Sequence, residues 1–278
     1  MRLSARTAIS PTAITECPLS EDLVTLDIEN HIAVVTLNRP ESLNAISGAL
    51  AQELSATFRS IADNEDVWVA VLAAAGEKAF CVGADLKERA GFTLDDFYKN
   101  REHMREMFAA VRETPQPVVA AVFGHALGGG FELALSCDLV MAATGSTFAL
   151  PETRVGLLPA GGGTQLLTRK VGVARAKELI FRARRIDEQE AQQLGLVNDV
   201  VKREDLMDWA MQTARHICKA SPVAVREAKR SIDAALGVPI DQGIEIENDS
   251  WKVVIETEDR AEGIAAFNEK RDPDWKNR

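Results

Sequence analysis

The sequence predicts an α/β fold, and three observations carry that prediction. Short apolar or alternating runs (DLVTLDI, HIAVVTLN, VWVAVLAA, VVAAVFG) recur between segments whose apolar residues fall at helical spacing. Strands interspersed with helices are how an α/β protein covers its sheet. The 278 residues are 46% hydrophobic, which suffices for a sizeable core, and no strict repeat, low-complexity tract or linker divides them.

From Asp22 the chain alternates as DLVTLDI, turns at Glu29-Asn30 and returns as HIAVVTLN, a hairpin of two half-buried strands. Arg39-Pro40 ends it. Ser47 suits the N-cap of a helix through Ile61, because Leu50, Leu54, Phe58 and Ile61 then share one face. A strand is expected at 67 to 74, then a loop GEKAFCVGADLKE, then the segment GFTLDDFYKN leading into a helix from about Leu94 to Val111. Thr114-Pro115-Gln116-Pro117 breaks the chain before the buried-type strand VVAAVFG, and Gly128-Gly129-Gly130 opens the helix that carries Glu132. DLVMAAT reads as a strand, GGGTQLLTRKVG as a helix and LVNDVV as a late strand, after which the pattern is mostly helical. The expected organisation is a flexible tail over residues 1–20, a core with the active site over 21–203, and a helical region over 204–278. The first sixteen residues carry Arg2, Arg6 and no acid before Glu16, a composition shared with transit peptides; a frayed tail is the expectation.

Composition removes several function classes. The net charge of −10, without any long block of Lys and Arg, argues against nucleic acid or an anionic membrane as a general partner. No run approaches the roughly 18 apolar residues of a membrane span, so a soluble, cytoplasmic protein is expected. Cys17, Cys81, Cys137 and Cys218 lie far apart without a CxxC pair, the usage of reduced thiols; neither a disulfide nor zinc is expected. Asn248-Asp249-Ser250 fits a glycosylation sequon and is read as chance on a helical stretch. GxSxG, HExxH and the GK[ST] ending of a phosphate loop are all absent, and neither GHALGGG nor AGGGTQLL gives GxGxxG.

The chain is organised around Gly124 to Thr168, an apolar stretch with two isolated acids, Glu132 and Glu152. Glu132 follows the triple glycine and Glu152 follows Pro151, so each stands near a junction of elements, where chemistry is commonly built. A triple glycine before a helix lets a ligand approach free backbone N–H groups, which favour an oxygen that is becoming an enolate. Taken alone, those glycines more often serve a tight turn and close packing. Two carboxyls facing one cleft would repel if both ionised; one pKa rises, leaving an acid and a base together near neutral pH, a pair able to add water across a double bond. For any single Glu, a solvated helix face or a helix cap is the commoner role, and spacing does not bring the two together. His125 could be a base but a lone His beside a strand end is more often structural, and Asp138 is expected to hold a backbone or side-chain donor.

Here the sequence resembles the crotonase superfamily, and within it the enoyl-CoA hydratases, from about Leu23 to Trp275. The resemblance is carried by LNRPESLNAI, KAFCVGADLKE, ALGGGFELALSCDLVMA, FALPETRVGLLPAGGGTQLLTRKVG, ARRIDEQEAQQLGLVNDVV and FNEKRDP, in that order. It implies a spiral of strand-strand-helix units with a helical C-terminal region, assembled as a trimer or dimer of trimers. It also implies an acyl-CoA thioester as the partner, with coenzyme A part of the substrate and no metal or other cofactor. By the same matching, the amides of Ala84 and Gly129 form the oxyanion hole. Ala84, Asp85, Leu86 and Lys87 line the CoA and thioester side, and Leu43, Asn44 and Ala45 lie near CoA. Glu132 would activate water for attack at the β-carbon and Glu152 would protonate the α-carbon, giving a 3-hydroxyacyl-CoA. Retention of both acids weighs against the isomerases, decarboxylases and dehalogenases of the superfamily and against a catalytically silent scaffold, with an enoyl-CoA isomerase and such a scaffold kept as alternatives. The methylglutaconyl-CoA hydratases share both glutamates and remain the nearest alternative; their added carboxylate calls for a basic residue in the acyl pocket, bordered by the segment from Gly91 to Arg105. RNA binding, seen in some of those relatives through a lysine-rich early helix, is disfavoured because SGALAQELSATFRSIADNED has Arg59 and no Lys. Leu166 departs from the family, where Arg is common, and bears on a local salt bridge or subunit contact.

Overall fold

The computed structural model describes residues 22–278; the expected tail and Cys17 lie outside the described residues. β1 (Val24–Glu29) and β2 (Ile32–Leu37) form the expected antiparallel hairpin, with Glu29 opposite Ile32. Asn30 and His31 both take positive φ (51° and 67°), the left-handed pair that lets a two-residue turn follow the twist of its strands. α1 (Gly48–Ala62) begins where Ser47 accepts a hydrogen bond from the Leu50 amide, and it buries Leu50, Leu54, Phe58 and Ile61, the face read from their spacing.

Next come β3 (Val69–Ala74), β4 (Ala79–Cys81), a short helix α2 (Leu86–Arg89) and the long α3 (Leu94–Glu113), which starts at a capping box between Thr93 and Asp96. β5 (Val118–Val122) and β6 (His125–Leu127) precede α4 (Gly129–Leu135). β7 (Leu139–Ala143) and β8 (Thr147–Ala149) precede α5 (Gly163–Val171) and α6 (Val173–Phe181). β9 (Ile186–Asp187), α7 (Glu188–Gln193) and β10 (Asp199–Val201) complete this part.

The strands sort into two sheets. One has the order β1-β2-β3-β5-β7-β10 and is parallel beyond the hairpin; the other has the order β4-β6-β8-β9. Successive turns therefore place β3, β5 and β7 in the first sheet and β4, β6 and β8 in the second before a helix returns the chain. This is the expected strand-strand-helix spiral. The segment KAFCVGADLKE, expected to be a loop, contains β4 and α2. Three residues are too few to show a period, and β4 exists through its distant parallel partner β6.

Apolar side chains lie on both faces of the larger sheet, which explains the near-continuous Val and Ala of β3 and β5. Phe58, Phe80, Met107, Phe131 and Phe148 fill the side shared with α1, α3 and α4. On the other face, Val69, Val71, Val119, Phe123 and Met141 meet Leu206, Ala210 and Ala214 of α8 (Leu206–Ile217), so this helix completes the core. α9 (Pro222–Ala235), α10 (Ile240–Ile255) and α11 (Glu258–Glu269) form the expected helical end. Leu166, the departure from the family pattern, packs partly buried against the main core. Among the described residues no helix is long and apolar enough to cross a membrane.

Candidate active site

Glu132 and Glu152 face a single cleft of about 880 Å³. Glu132 is only 3% exposed because α4 runs into the core between Phe131 and Leu133. Its Oε1 accepts a 2.8 Å hydrogen bond from the Gly163 amide at the start of α5. Burial pushes its pKa up to about 7: the Gly163 amide opposes burial, the nearby Glu152 charge adds to it, and the Gly161 amide and Arg101 oppose it more weakly.

Glu152 opens a turn of 3-10 helix, Glu152–Val155, directly after Pro151. Its Oε2 is buried without a hydrogen-bond partner among the described residues, and burial raises its pKa. Two adjacent glycines make room for these carboxyls. A Cβ at Gly128 would stand 2.9 Å from Glu152 Oε1, and Gly128 also has φ 53° with ψ −126°, a conformation open to glycine. A Cβ at Gly161 would strike the Phe108 ring and lie 2.8 Å from Glu132 Oε2.

The amides of Ala84 and Gly129 meet beside the pair. Ile46 bridges this loop by donating to the Gly83 carbonyl and accepting from the Asp85 amide, which leaves the intervening Ala84 N–H without an acceptor among the described residues. Gly129 is the first residue of α4, so its N–H has no place in the helical ladder, and no other described group accepts it. A Cβ on Gly129 would be 3.7 Å from Ala84 N, so the two donors stand side by side on the cleft wall. Convergent free N–H groups stabilise an oxygen that gains negative charge.

The remaining expected contacts divide. Leu86 lines the cleft with Ala84 and Gly129; Asp85, Lys87, Leu43 and Ala45 are not among its lining residues. Asp85 instead caps α2 by accepting from the Lys87 and Glu88 amides, and it pairs with Arg39 at 3.3 Å. Burial opposes ionisation of Asp85, but the Glu88 amide and the Arg39 guanidinium outweigh it and hold the carboxyl below its ordinary range. Lys87 is exposed on α2. Leu43 accepts the Val82 amide and Ala45 accepts from Arg39 Nη1 through their carbonyls, so both brace the loop that carries Ile46. His125 Nδ1 bonds Thr147 Oγ1 at 2.8 Å between neighbouring strands, and Asp138 accepts from the Val118 amide and Lys229, both structural roles.

Sequence reading missed the donation of Gly163 to Glu132, although the run Gly161-Gly162-Gly163 was visible. It also missed Ile46, Phe108, Arg89, Asn100 and Arg101 on the cleft wall. The one signal for Asn100 and Arg101 was the expectation that Gly91 to Arg105 borders the acyl pocket; Arg89 lies just before that segment.

Two sheets wound by strand-strand-helix turns, with two convergent free amides on the cleft wall, are features of the crotonase superfamily. Within it, the chain belongs to the enoyl-CoA hydratase/isomerase family, whose model matches residues 27–278. It is 38% identical over 248 residues to the short-chain-enoyl-CoA hydratase of Clostridium acetobutylicum, covering 89% of this chain and 95% of that one. It is 37% identical over 257 residues to the (E)-benzylidenesuccinyl-CoA hydratase of Thauera aromatica, covering 90% and 97%. The crystal structure of an enoyl-CoA hydratase from Bacillus anthracis superposes with a TM-score of 0.90 at 42% identity, covering 92% of this chain and all of that one.

Proposed function

We propose that the protein catalyses the reversible syn addition of water to a trans-2-enoyl-CoA, giving a 3-hydroxyacyl-CoA. The carrying observation is that two carboxyls with raised pKa share one cleft with two unpaired amides. Ala84 and Gly129 N–H groups hold the thioester oxygen, drawing electron density from the conjugated double bond. Ionised Glu132 takes a proton from water as its oxygen bonds to the β-carbon. Protonated Glu152 gives its proton to the α-carbon, and transfer of the proton from Glu132 to Glu152 restores the pair. The sum is one water added, with coenzyme A leaving as part of the product and no separate cofactor entering any step. Positioned acid-base groups of this kind supply about 10²- to 10⁴-fold.

The reading is tested by following the loss of conjugated-thioester absorbance with crotonyl-CoA. Hydration that falls by at least about 10²-fold in Glu132→Gln and in Glu152→Gln, with folding intact by circular dichroism, is the expected result. Unchanged turnover in either variant removes that residue from its role. The same reading includes service in fatty-acid β-oxidation or related acyl-CoA breakdown in the cytoplasm, in keeping with the free thiols Cys81, Cys137 and Cys218. It also includes assembly as a trimer or pair of trimers, supported by exposed Ile240, Ile244, Trp251, Ile264 and Phe267 on α10 and α11. Sedimentation of the wild type beside Phe267→Asp tests that assembly.

A further inference from the structure

The cationic residues of the cleft are of two kinds. Arg182 and Arg184 pair with Glu178, Arg184 also pairs with Glu190, Arg154 is exposed and donates to the Arg182 carbonyl, and Arg185 is exposed to solvent. On the wall formed by α2 and α3, Arg89 and Arg101 have no such partners. Arg89 donates from Nη2 to Asn100 Oδ1 at 3.0 Å, a neutral acceptor, while its Nε is buried without a hydrogen-bond partner among the described residues. Glu88, the acid next to it in sequence, accepts the Gly48 amide instead. Arg101 makes no hydrogen bond or ion pair among the described residues, and its charge is felt by both Arg89 and Glu132. Burial lowers the pKa of Arg89; the Glu88 charge opposes that shift without cancelling it, and Arg101 adds to it.

A buried guanidinium N–H without an acceptor is a costly arrangement, and a second cation beside it makes it costlier. The surrounding wall is apolar: Leu86, Phe97, Met104 and Phe108. Phe108 also packs beside Gly161 against Glu132, so this wall adjoins the carboxylate that serves the β-carbon. An acyl group extending past the β-carbon along this wall would share it with the hydrocarbon side chains and with both guanidiniums. A methyl terminus would leave both cations unpaired there; a carboxylate would match the planar donors of Arg89.

We propose that Arg89, with Arg101, receives a carboxylate borne by the acyl group, so that the preferred substrate is an enoyl-CoA with an acidic acyl tail. This rests on the hydratase reading above for its chemistry, though the carboxylate subsite itself is a matter of binding. Asn100, 6% exposed on α3, positions Arg89 by accepting its Nη2 and leaves Nη1, which has no hydrogen bond among the described residues, for the ligand.

The test compares glutaconyl-CoA with trans-2-pentenoyl-CoA, which have the same five-carbon chain and differ in a terminal carboxylate or methyl. The wild type is expected to favour glutaconyl-CoA by at least about tenfold in kcat/KM, and Arg89→Met to lower that ratio by at least about tenfold, with partial recovery in Arg89→Lys. Binding of the saturated thioesters glutaryl-CoA and pentanoyl-CoA, measured by calorimetry, reads the subsite without turnover and should show the same order. A binding ratio near one in the wild type, or one that Arg89→Met leaves unchanged, overturns the proposal. If glutaryl-CoA binding depends on Arg89 while neither enoyl-CoA is hydrated, the carboxylate subsite stands and the hydratase reading falls.

Discussion

Glu132 Oε1 accepts the Gly163 amide at 2.8 Å, so this buried carboxyl on α4 is tied to the first turn of α5. That hydrogen bond favours the ionised form, but burial outweighs it and the nearby Glu152 charge adds to burial. The carboxyl is therefore poised near neutrality. The proposed mechanism needs Glu132 ionised and Glu152 protonated, a one-proton state of the pair that exists between its two macroscopic ionisations. A bell-shaped dependence of kcat/KM on pH is expected, with the alkaline limb near pH 7, where the pair gives up its last proton. Rates with crotonyl-CoA across roughly pH 5 to 10 check this; a flat profile would remove the coupled pair from the mechanism.

The same shift has a consequence for stability. In the unfolded chain Glu132 titrates near 4.5 and in the folded protein near 7, so between these values the folded state holds more protons. Stability therefore falls as pH rises through that window, reaching a loss of roughly 3 kcal/mol from this group above it. Glu132→Gln keeps an oxygen for the Gly163 amide and carries no charge. It is expected to raise the melting temperature by several degrees at about pH 8 and to change it little at about pH 4, where both states are protonated. Equal melting temperatures for variant and wild type at the higher pH would contradict the assignment of the buried charge.

Glu132 and Glu152 were legible as isolated acids in apolar sequence next to helix breakers. Their convergence was not, because they reach the cleft from α4 and from a 3-10 turn separated by β7 and β8, and no local period encodes that distance. α1 was legible because Leu50, Leu54, Phe58 and Ile61 all turn to one side. β4, β8 and β9 span two or three residues and exist through pairing between successive turns of the spiral, so only the family resemblance anticipated them. Asp85 shows the opposite limit. Its place in the GADLK motif pointed to ligand contact, whereas the folded chain uses its carboxylate to cap α2 and hold Arg39.

Gly128 connects β6 to α4 at φ 53° and ψ −126°, and its missing side chain leaves space for Glu152. Gly128→Ala would place a methyl 2.9 Å from Glu152 Oε1 and force an L residue into a conformation it rarely adopts. The expected cost is about 1–3 kcal/mol of stability. Displacement of Glu152 and of the adjacent Gly129 amide should also lower hydration by on the order of 10²-fold. Denaturant unfolding and crotonyl-CoA turnover measure the two effects; wild-type values in both would show that the carboxyl has other room.

Lys229 on α9 donates to Asp138 Oδ2 at 2.7 Å and to the Gln116 carbonyl at 3.1 Å, while the same Asp138 oxygen accepts the Val118 amide at 2.7 Å. One carboxylate thus joins the start of β5 to the helical end of the chain. Lys229 is 11% exposed and Asp138 28%, so this is a partly buried pair whose loss is felt more than that of a surface ion pair and less than that of a fully enclosed one. Removing the ammonium also leaves Asp138 facing Asp233, whose pKa is already raised by burial and then by the Asp138 charge. Lys229→Ala is expected to lower stability by about 1–3 kcal/mol. Neither residue lines the cleft, so kcat with crotonyl-CoA should remain close to wild type. The denaturation midpoint and initial rates below it separate the two effects. A loss of kcat with an unchanged midpoint would mean that the α9 contact acts on the site rather than on the stability of the fold.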